Sequence, residues 1–266
     1  CALHKLCSLD IDADHGQTRA CKSCHDFGAR LLPKVDVVVT SHNYGKYLDE
    51  ALDSVAIQST RVLGAVIVVD DASDPDDQTK AICEQRGVQY VRTEFKSPHQ
   101  ARGAGFALCR SPLVQFLDAD NRLAEGYLLK AAELFADDAR LAIVYPDLQR
   151  FGDSDKLTVM PEATRDGLER GNFVDTGAVW RTEAIRQIQP FGFNPVGHED
   201  WRLAREVMRS GAWSATKHPI PLQYRIHGEQ MSGRRLGKPY FFLAGLHDET
   251  VTIFTTFSAR IQKSPE

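Results

Sequence analysis

The sequence has no apolar run long enough to cross a membrane and no block of basic residues. Its longest nearly unbroken apolar run, Leu63 to Val69, is far shorter than the roughly 20 residues that a membrane-spanning helix needs. No signal-like apolar segment opens the chain, so we expect a soluble protein. The basic residues form no block beyond the pair Arg234 and Arg235, and the formal net charge is -4. Nucleic acid is therefore excluded as an expected partner.

Glycine and proline are also scarce, with 19 and 12 among 266 residues, which excludes a collagenous or low-complexity chain. Hydrophobic residues make up 42% and charged residues 26% of the sequence, as in globular proteins. At about 150 residues per domain, this length allows one or two domains.

Cysteine is rare except at the start of the chain, where four of the six cysteines lie within 24 residues. These four are Cys1, Cys7, Cys21 and Cys24. The C-x2-C spacing of the last two is that of a zinc knuckle, and Cys1 or His4 with Cys7 would complete a tetrahedral structural zinc site. Disulfides, or thiols that form no site, remain open as alternatives. We expect a cytoplasmic location, because clustered thiols bind metal there more readily than they pair.

From Val35 onward, short apolar runs alternate with amphipathic stretches, which is typical of βα units on a parallel sheet. The predicted strands are Val35–Thr40, Ala65–Val69, Val88–Val91 and Leu113–Leu117. Three helices are predicted between these strands. The first has Leu48, Ala51, Leu52 and Val55 on one face. The second starts at Asp74 with Pro75 in its first turn, and the third covers Gln100–Cys109. We therefore predict an α/β fold with a doubly wound, mostly parallel sheet.

Acidic residues follow two of these strands, Asp70 and Asp71 after the second, Asp118 and Asp120 after the fourth. Ligands of open α/β sheets bind beyond the carboxyl ends of the strands, so these carboxylates should converge on one cleft. Asp118 and Asp120 would offer oxygen ligands to a divalent cation, and Asp70 or Asp71 would accept hydrogen bonds from a ribose or base. The alternative is that these residues serve turns and helix caps.

Several segments in this order and spacing resemble the family 2 glycosyltransferases of GT-A fold. The segments are VDVVVTSHNYGKYLDEALDSVAIQS, VIVVDDASD, QARGAGFAL, VQFLDADNRL, NFVDTGAVWR, GHEDWRLA and YRIHGEQMS. The resemblance covers roughly Pro33 to Ser232 and implies inverting transfer of a sugar from a nucleotide diphosphate to a hydroxyl acceptor. A hexosyl or N-acetylhexosaminyl transferase, a UDP-sugar donor and Mn²⁺ or Mg²⁺ on the diphosphate are further implications.

The resemblance also implies roles for individual residues. Thr40, Asp70 or Asp71, and Arg102 would contact the nucleotide. Asp118 and Asp120 would form the D-x-D motif, with Asp120 as the more direct metal ligand and His227 as a third. Asp200, paired with Glu199, would be the catalytic base, and its place at a predicted helix start would keep its carboxylate ionised. The alternative is that Glu199 and Asp200 only cap that helix.

The predicted organisation is a Cys-rich segment over residues 1–32, a GT-A domain over 33–232, and a loop with a C-terminal helix over 233–266. Within the domain, 33–121 would form the nucleotide-binding half and 122–232 the acceptor half. A sugar-1-phosphate nucleotidyltransferase is disfavoured, because TSHNYG after the first strand has a single glycine and is no phosphate loop. A non-catalytic nucleotide-sugar-binding or scaffold protein on the same fold remains the alternative of a different class.

Overall fold

The computed structural model of the protein describes residues 31–188 and 199–228. The four N-terminal cysteines and the predicted C-terminal helix lie outside the described residues, so structural zinc and the helix stay predictions. Glu199 begins a helix, but its side chain also lies outside the described part of the chain.

Ten strands and seven helices occur in the described ranges. The strands are β1 (Val35–Ser41), β2 (Leu63–Asp71), β3 (Gln89–Thr93), β4 (Leu113–Asp118), β5 (Leu141–Tyr145), β6 (Leu148–Gly152), β7 (Leu157–Thr158), β8 (Val179–Arg181), β9 (Ser214–Lys217) and β10 (Leu222–Ile226). The helices are α1 (Gly45–Ala56), α2 (Thr79–Arg86), α3 (Pro98–Phe106), α4 (Tyr127–Asp137), α5 (Arg165–Arg170), α6 (Thr182–Ile188) and α7 (Glu199–Arg209).

The main sheet has seven strands in the order β3-β2-β1-β4-β8-β5-β9. Strands β3, β2, β1 and β4 are parallel to one another, and β8 runs antiparallel to both of its neighbours. A second sheet has three strands in the order β10-β6-β7. The prediction of a mostly parallel α/β sheet is therefore confirmed.

Strands β1 and β4 lie in the centre of the sheet and are almost fully buried. Parallel strands covered on both faces read as continuous apolar runs, which is why these strands stood out in the sequence. Between β1 and β2, helix α1 buries Leu48, Ala51, Leu52 and Val55 as one face. These βα units bring the carboxyl ends of β1, β2 and β4 to the same edge of the sheet.

The predicted helix start at Asp74 is wrong, because α2 begins at Thr79. Asp74 instead forms a reciprocal pair with Asn43: the Asn43 side-chain amide donates to Asp74 at 3.0 Å, and the Asp74 backbone N–H donates to Asn43 at 2.7 Å. Asp77 accepts hydrogen bonds from the backbone N–H groups of Thr79 and Gly45, both at 2.9 Å. One carboxylate thus serves the first turns of both α2 and α1.

Helix α3 begins two residues earlier and ends three residues earlier than predicted. Ser97 is its N-cap, accepting a hydrogen bond from the backbone of Gln100 at 3.4 Å, and Pro98 occupies the first turn. Within residues 31–188 and 199–228, each helix is too short or too polar to span a bilayer.

Candidate functional site

A cleft of about 1120 Å³ opens at the carboxyl ends of β1, β2 and β4. Its lining includes the predicted residues Thr40, Asp71, Arg102, Asp118, Asp120 and Asp200. Asp118 at the end of β4 and Asp120 just after it therefore share one hollow with Asp200 at the start of α7.

Asp118, at the end of β4, is held by two neighbouring elements. Because β1 and β4 pair in parallel, Thr40 lies opposite Asp118, and its hydroxyl donates to Asp118 Oδ1 at 3.2 Å. The guanidinium of Arg102, on α3, contacts the same oxygen at 2.6 Å. The side chain of Arg102 is only 7% exposed whereas that of Asp118 is 34% exposed. The buried Arg102 thus fixes one carboxylate oxygen of Asp118, while Asp118 still faces the cleft.

Asp120 is buried, and its carboxylate contacts His227, the residue that directly follows β10. Its Oδ2 lies 3.1 Å from Nε2 of His227, and the His227 ring packs against the rings of Tyr44 and Tyr47, with centroids 5.5 and 5.1 Å away. Burial, together with the negative charge of Asp118, raises the pKa of Asp120 to about 6, although the contact with His227 opposes that rise.

The two acidic residues that end β2, Asp70 and Asp71, differ in what they face. Asp70 is buried and accepts hydrogen bonds from the Tyr90 hydroxyl at 2.8 Å, the Arg92 guanidinium at 2.9 Å and the backbone of Ser73 at 3.2 Å. Asp70 is not among the residues that line the cleft. The expectation that all four carboxylates converge there is therefore wrong for Asp70, because its oxygens are directed to β3 and its own loop.

Asp71 lines the cleft, but its carboxylate also organises the following segment. It accepts hydrogen bonds from the Thr93 hydroxyl at 3.0 Å and from the backbone N–H groups of Phe95 and Ser97 at 2.7 and 2.6 Å. Asp71 thereby positions the turn that leads into α3, the helix that holds Arg102.

The loops around this edge contain strained backbone. Asn43, Ala72 and Lys96 follow β1, β2 and β3, and each has a positive φ, of 58°, 61° and 52°. Such conformations cost a non-glycine residue roughly 1–3 kcal/mol and are retained where the surroundings enforce them. Here the Asn43 backbone N–H donates to the hydroxyl of Ser73 at 2.8 Å, which joins the first two loops.

Asp200 also lines the cleft and lies in the first turn of α7. Its Oδ1 accepts hydrogen bonds from the Asn172 side chain at 3.0 Å and from the backbone of Trp201 at 2.7 Å. A carboxylate at a helix N-terminus is favoured in its ionised form by the helix dipole. Asn172 also lines the cleft and so orients Asp200 at its surface.

Asp175 is a cleft residue that the sequence analysis did not identify. Burial is the main reason that its pKa rises to about 7, and the negative charges of Asp118 and Asp200 add to the rise. Its Oδ1 accepts a hydrogen bond from the backbone of Gly177 at 2.7 Å. The Gly177 carbonyl in turn accepts from Gln115 at 2.7 Å and from the Tyr127 hydroxyl at 3.0 Å, so the turn is anchored to β4 and α4. The only signal for Asp175 in the sequence was its place in the NFVDTGAVWR segment, where no site role was predicted for it.

Within the described ranges, no three His, Cys, Asp or Glu side chains are grouped closely enough to hold a metal ion. Asp118 contacts Arg102, and Asp120 contacts His227. The chemistry of these donors still fits a hard divalent cation, which prefers carboxylate oxygens and tolerates imidazole. The raised pKa of Asp120, caused by burial and Asp118, marks a site where positive charge would be stabilising.

A sequence model described as "Glycosyl transferase family 2" matches residues 36–191, more than half of the chain. Among curated proteins, the chain is 27% identical over 187 residues to an uncharacterized glycosyltransferase of Nostoc sp., covering 64% of this chain and 56% of that protein. It is 28% identical over 183 residues to the pre-mycofactocin glycosyltransferase of Mycobacterium tuberculosis, covering 62% of this chain and 38% of that protein. The chain thus spans about half or less of the length of these two relatives.

Solved structures share the fold. The S. aureus TarS fragment 1–349 in complex with UDP-GlcNAc has a TM-score of 0.61 and 22% identity, covering 75% of this chain and 60% of that chain. The mannosyltransferase PcManGT from Pyrobaculum calidifontis, in complex with GDP-Man and Mn²⁺, has a TM-score of 0.57 and 19% identity, covering 74% of this chain and 58% of that chain. The mostly parallel sheet, together with these matches to solved structures, confirms the GT-A fold, and the chain belongs to glycosyl transferase family 2.

Proposed function

We propose that this chain is an inverting glycosyltransferase that moves a sugar from a nucleotide diphosphate donor, a UDP-sugar, to a hydroxyl group of a carbohydrate or other acceptor. The main support is that Asp118 and Asp120 share one cleft with Asp200. Such a reaction needs stabilisation of charge on the departing diphosphate and a base for the acceptor hydroxyl. The lining of the cleft offers groups for both needs.

The donor would lie along the carboxyl ends of β1, β2 and β4. Thr40, Asp71 and Arg102 line this side and would contact the nucleotide. The choice of UDP rests on family likeness and is consistent with the TarS fragment having been solved with UDP-GlcNAc. PcManGT was solved with GDP-Man, so a comparison of UDP and GDP binding to this protein tests the choice of nucleotide.

Asp118 and Asp120 would hold Mn²⁺ or Mg²⁺, with His227 as a third ligand. When bound, such an ion supplies Lewis-acid stabilisation of the leaving diphosphate. The protein's part is to hold the oxygens in place: Arg102 and Thr40 orient Asp118, and the contact with His227 orients Asp120.

Asp200 would accept the proton of the acceptor hydroxyl. Its Oδ1 is occupied by Asn172 and by the Trp201 backbone, which fixes the orientation of the carboxylate. Attack from this side of the cleft, opposite the diphosphate, would invert the configuration at the sugar carbon. Asn172 donates a hydrogen bond to Asp200, Asp175 also lines the cleft, and both would contact the acceptor.

The decisive experiment compares the wild-type protein with Asp200→Asn. General-base catalysis contributes roughly 10²–10⁴-fold, so we expect UDP release from UDP-sugars, with a panel of hydroxyl acceptors, to fall at least about 100-fold. Binding of UDP in the presence of Mn²⁺ should stay within about twofold of wild type. Asp155→Asn, a change at an exposed residue, is the matched control and should alter neither quantity.

Two results would contradict the proposal. Full activity in Asp200→Asn would remove Asp200 from the mechanism. If the wild-type protein binds UDP but transfers no sugar to any acceptor of the panel, the chain is a non-catalytic nucleotide-sugar-binding protein on the same fold.

A further inference from the structure

Glu50 connects α1 to the two segments that position Asp120 and His227. This residue is on the surface of α1, with its side chain 42% exposed. One carboxylate oxygen pairs with the Arg122 guanidinium and the other with the Arg225 guanidinium. Arg122 lies two residues after Asp120, and Arg225 lies two residues before His227. A single carboxylate therefore contacts both segments.

These two segments are also joined along their backbones. Arg122 and Gln223 exchange N–H to carbonyl hydrogen bonds at 3.0 and 3.1 Å. The Arg225 backbone N–H donates to the Asn121 side chain at 2.9 Å, and Arg225 Nε donates to the Asp120 carbonyl at 2.9 Å. The position of His227 relative to Asp120 thus depends on how β10 lies against residues 120–122.

The two arginines lie against one aromatic ring. The guanidinium carbons of Arg122 and Arg225 are 3.8 and 4.3 Å from the centroid of the Phe151 ring, and Arg225 also lies 4.7 Å from the Tyr47 ring. Two like charges held so close repel each other. The carboxylate of Glu50 supplies the opposite charge that both of them share.

An exposed ion pair usually contributes little, because ordering two long side chains offsets the Coulomb attraction. Here the side chains of Arg122 and Arg225 are 31% and 14% exposed and are already ordered against Phe151. Packing and backbone contacts therefore already order these two side chains, and the ion pairs with Glu50 add little further entropic cost. Removing the Glu50 charge would leave the repulsion between Arg122 and Arg225 uncompensated, in a partly buried position where water screens it less.

We propose that Glu50 is a positioning residue for the proposed glycosyl transfer: through Arg122 and Arg225 it holds β10 against residues 120–122, so that His227 stays on Asp120. The role rests on the proposed function for its effect on catalysis, but the effect on local structure does not depend on it. Substitution of residues that do not bind the metal themselves but orient its ligands typically lowers metal affinity or activity by about 10–100-fold.

The test compares Glu50→Gln with Asp49→Asn. Asp49 precedes Glu50 on α1 and accepts a hydrogen bond from Arg86 at 2.7 Å, away from the β10 contacts. Asp49→Asn therefore also removes one paired carboxylate from α1 and serves as the matched control. Hydrogen–deuterium exchange of the ligand-free protein measures how fast the backbone amides of Arg122, Gln223 and Arg225 exchange with solvent. We expect these three amides to exchange at least about tenfold faster in Glu50→Gln, with those of β1 unchanged, and Asp49→Asn to behave as wild type.

A second measurement is the dissociation constant for UDP in the presence of Mn²⁺, which should rise about tenfold or more in Glu50→Gln. Glu50→Asp, which keeps the carboxylate, should recover part of the loss. Unchanged exchange at the three amides would overturn the proposal, and so would equally faster exchange in β1, which would indicate a general loss of stability. If wild type neither binds UDP nor transfers sugar, the proposed function fails, whereas the exchange result still decides the role of Glu50 in holding β10.

Discussion

Gly105 of α3 lies against Val38 of β1 so closely that a Cβ atom at Gly105 would be 2.3 Å from Val38 Cγ1. The same atom would be 3.0 Å from a methyl carbon of Val69 on β2. Arg102 precedes Gly105 by three residues and therefore lies on the same side of the helix. The absence of a side chain at Gly105 lets α3 approach the sheet, and this approach brings the Arg102 guanidinium to Asp118.

Gly105→Ala should therefore lower both stability and nucleotide affinity. Extra atoms in a well-packed core cost about 1–3 kcal/mol, which outweighs the roughly 1 kcal/mol that alanine gains over glycine in helix propensity. We expect a net loss in the free energy of unfolding, measured by urea denaturation, together with weaker UDP binding. Gly171→Ala is the control, because a Cβ there meets no atom within 4 Å; a stable Gly105→Ala variant would contradict the account.

Asp36 on β1 should stabilise the fold through its charge. Burial alone would raise its pKa, but hydrogen bonds from Ser111, Ala65 and Arg110 outweigh burial and lower the pKa below its usual value. The carboxylate accepts four hydrogen bonds, between 2.7 and 2.9 Å in length. Because the pKa is lower in the folded state, the stabilisation is present above pH 4 and is lost as the pH falls through the folded-state pKa.

Asp36→Asn should consequently lower the free energy of unfolding at pH 7 by about 1.5–3 kcal/mol, the range for hydrogen bonds to a charged group. The difference from wild type should narrow below about pH 4, where the unfolded carboxylate takes up its proton. Urea denaturation at several pH values measures both effects, with Asp155→Asn as the exposed control. A difference that stays constant down to pH 3 would argue against the charge as the cause.

Asp175 should have the opposite effect on stability. Its pKa rises to about 7, through burial and then the charge of Asp118, so the folded state holds a proton that the unfolded state releases near pH 4. The contribution of Asp175 to stability therefore falls as the pH rises from about 4 to 7. Asn would keep an acceptor for the Gly177 backbone without the charge.

Asp175→Asn should thus be more stable than wild type at pH 8, by about 1 kcal/mol or more, and the gain should disappear near pH 4. The measurement is urea denaturation in the presence of EDTA and without nucleotide, so that no bound cation offsets the carboxylate. A gain that does not depend on pH would show that Asp175 is not protonated in the folded protein near neutral pH.

The fold could be predicted where burial dominates the sequence. Strands β1, β2 and β4 were found because each contains a run of buried apolar residues, and the carboxyl ends of these runs predicted the position of the cleft. Strands β6 and β10 were missed, because LQRFG and LQYRI are half-exposed and mix polar with apolar residues. Their pairing depends on contacts with distant segments, which a local pattern does not record.

The site shows the same limit at the level of single residues. The sequence could not separate Asp70 from Asp71, although adjacent residues of a strand point to opposite faces, because the strand end itself had to be located first. Asp175 is in a loop without periodicity, and Glu50 has the spacing of an ordinary solvent-facing helix residue. Their environments arise from segments that are far apart in the chain.

A crystal structure of the protein with UDP and Mn²⁺ tests the central claim most directly. We expect the ion between the diphosphate and the carboxylates of Asp118 and Asp120, the uracil and ribose beside Thr40 and Asp71, and Asp200 across the cleft from the β-phosphate. An ion bound away from both Asp118 and Asp120, or UDP bound outside this cleft, would contradict the account.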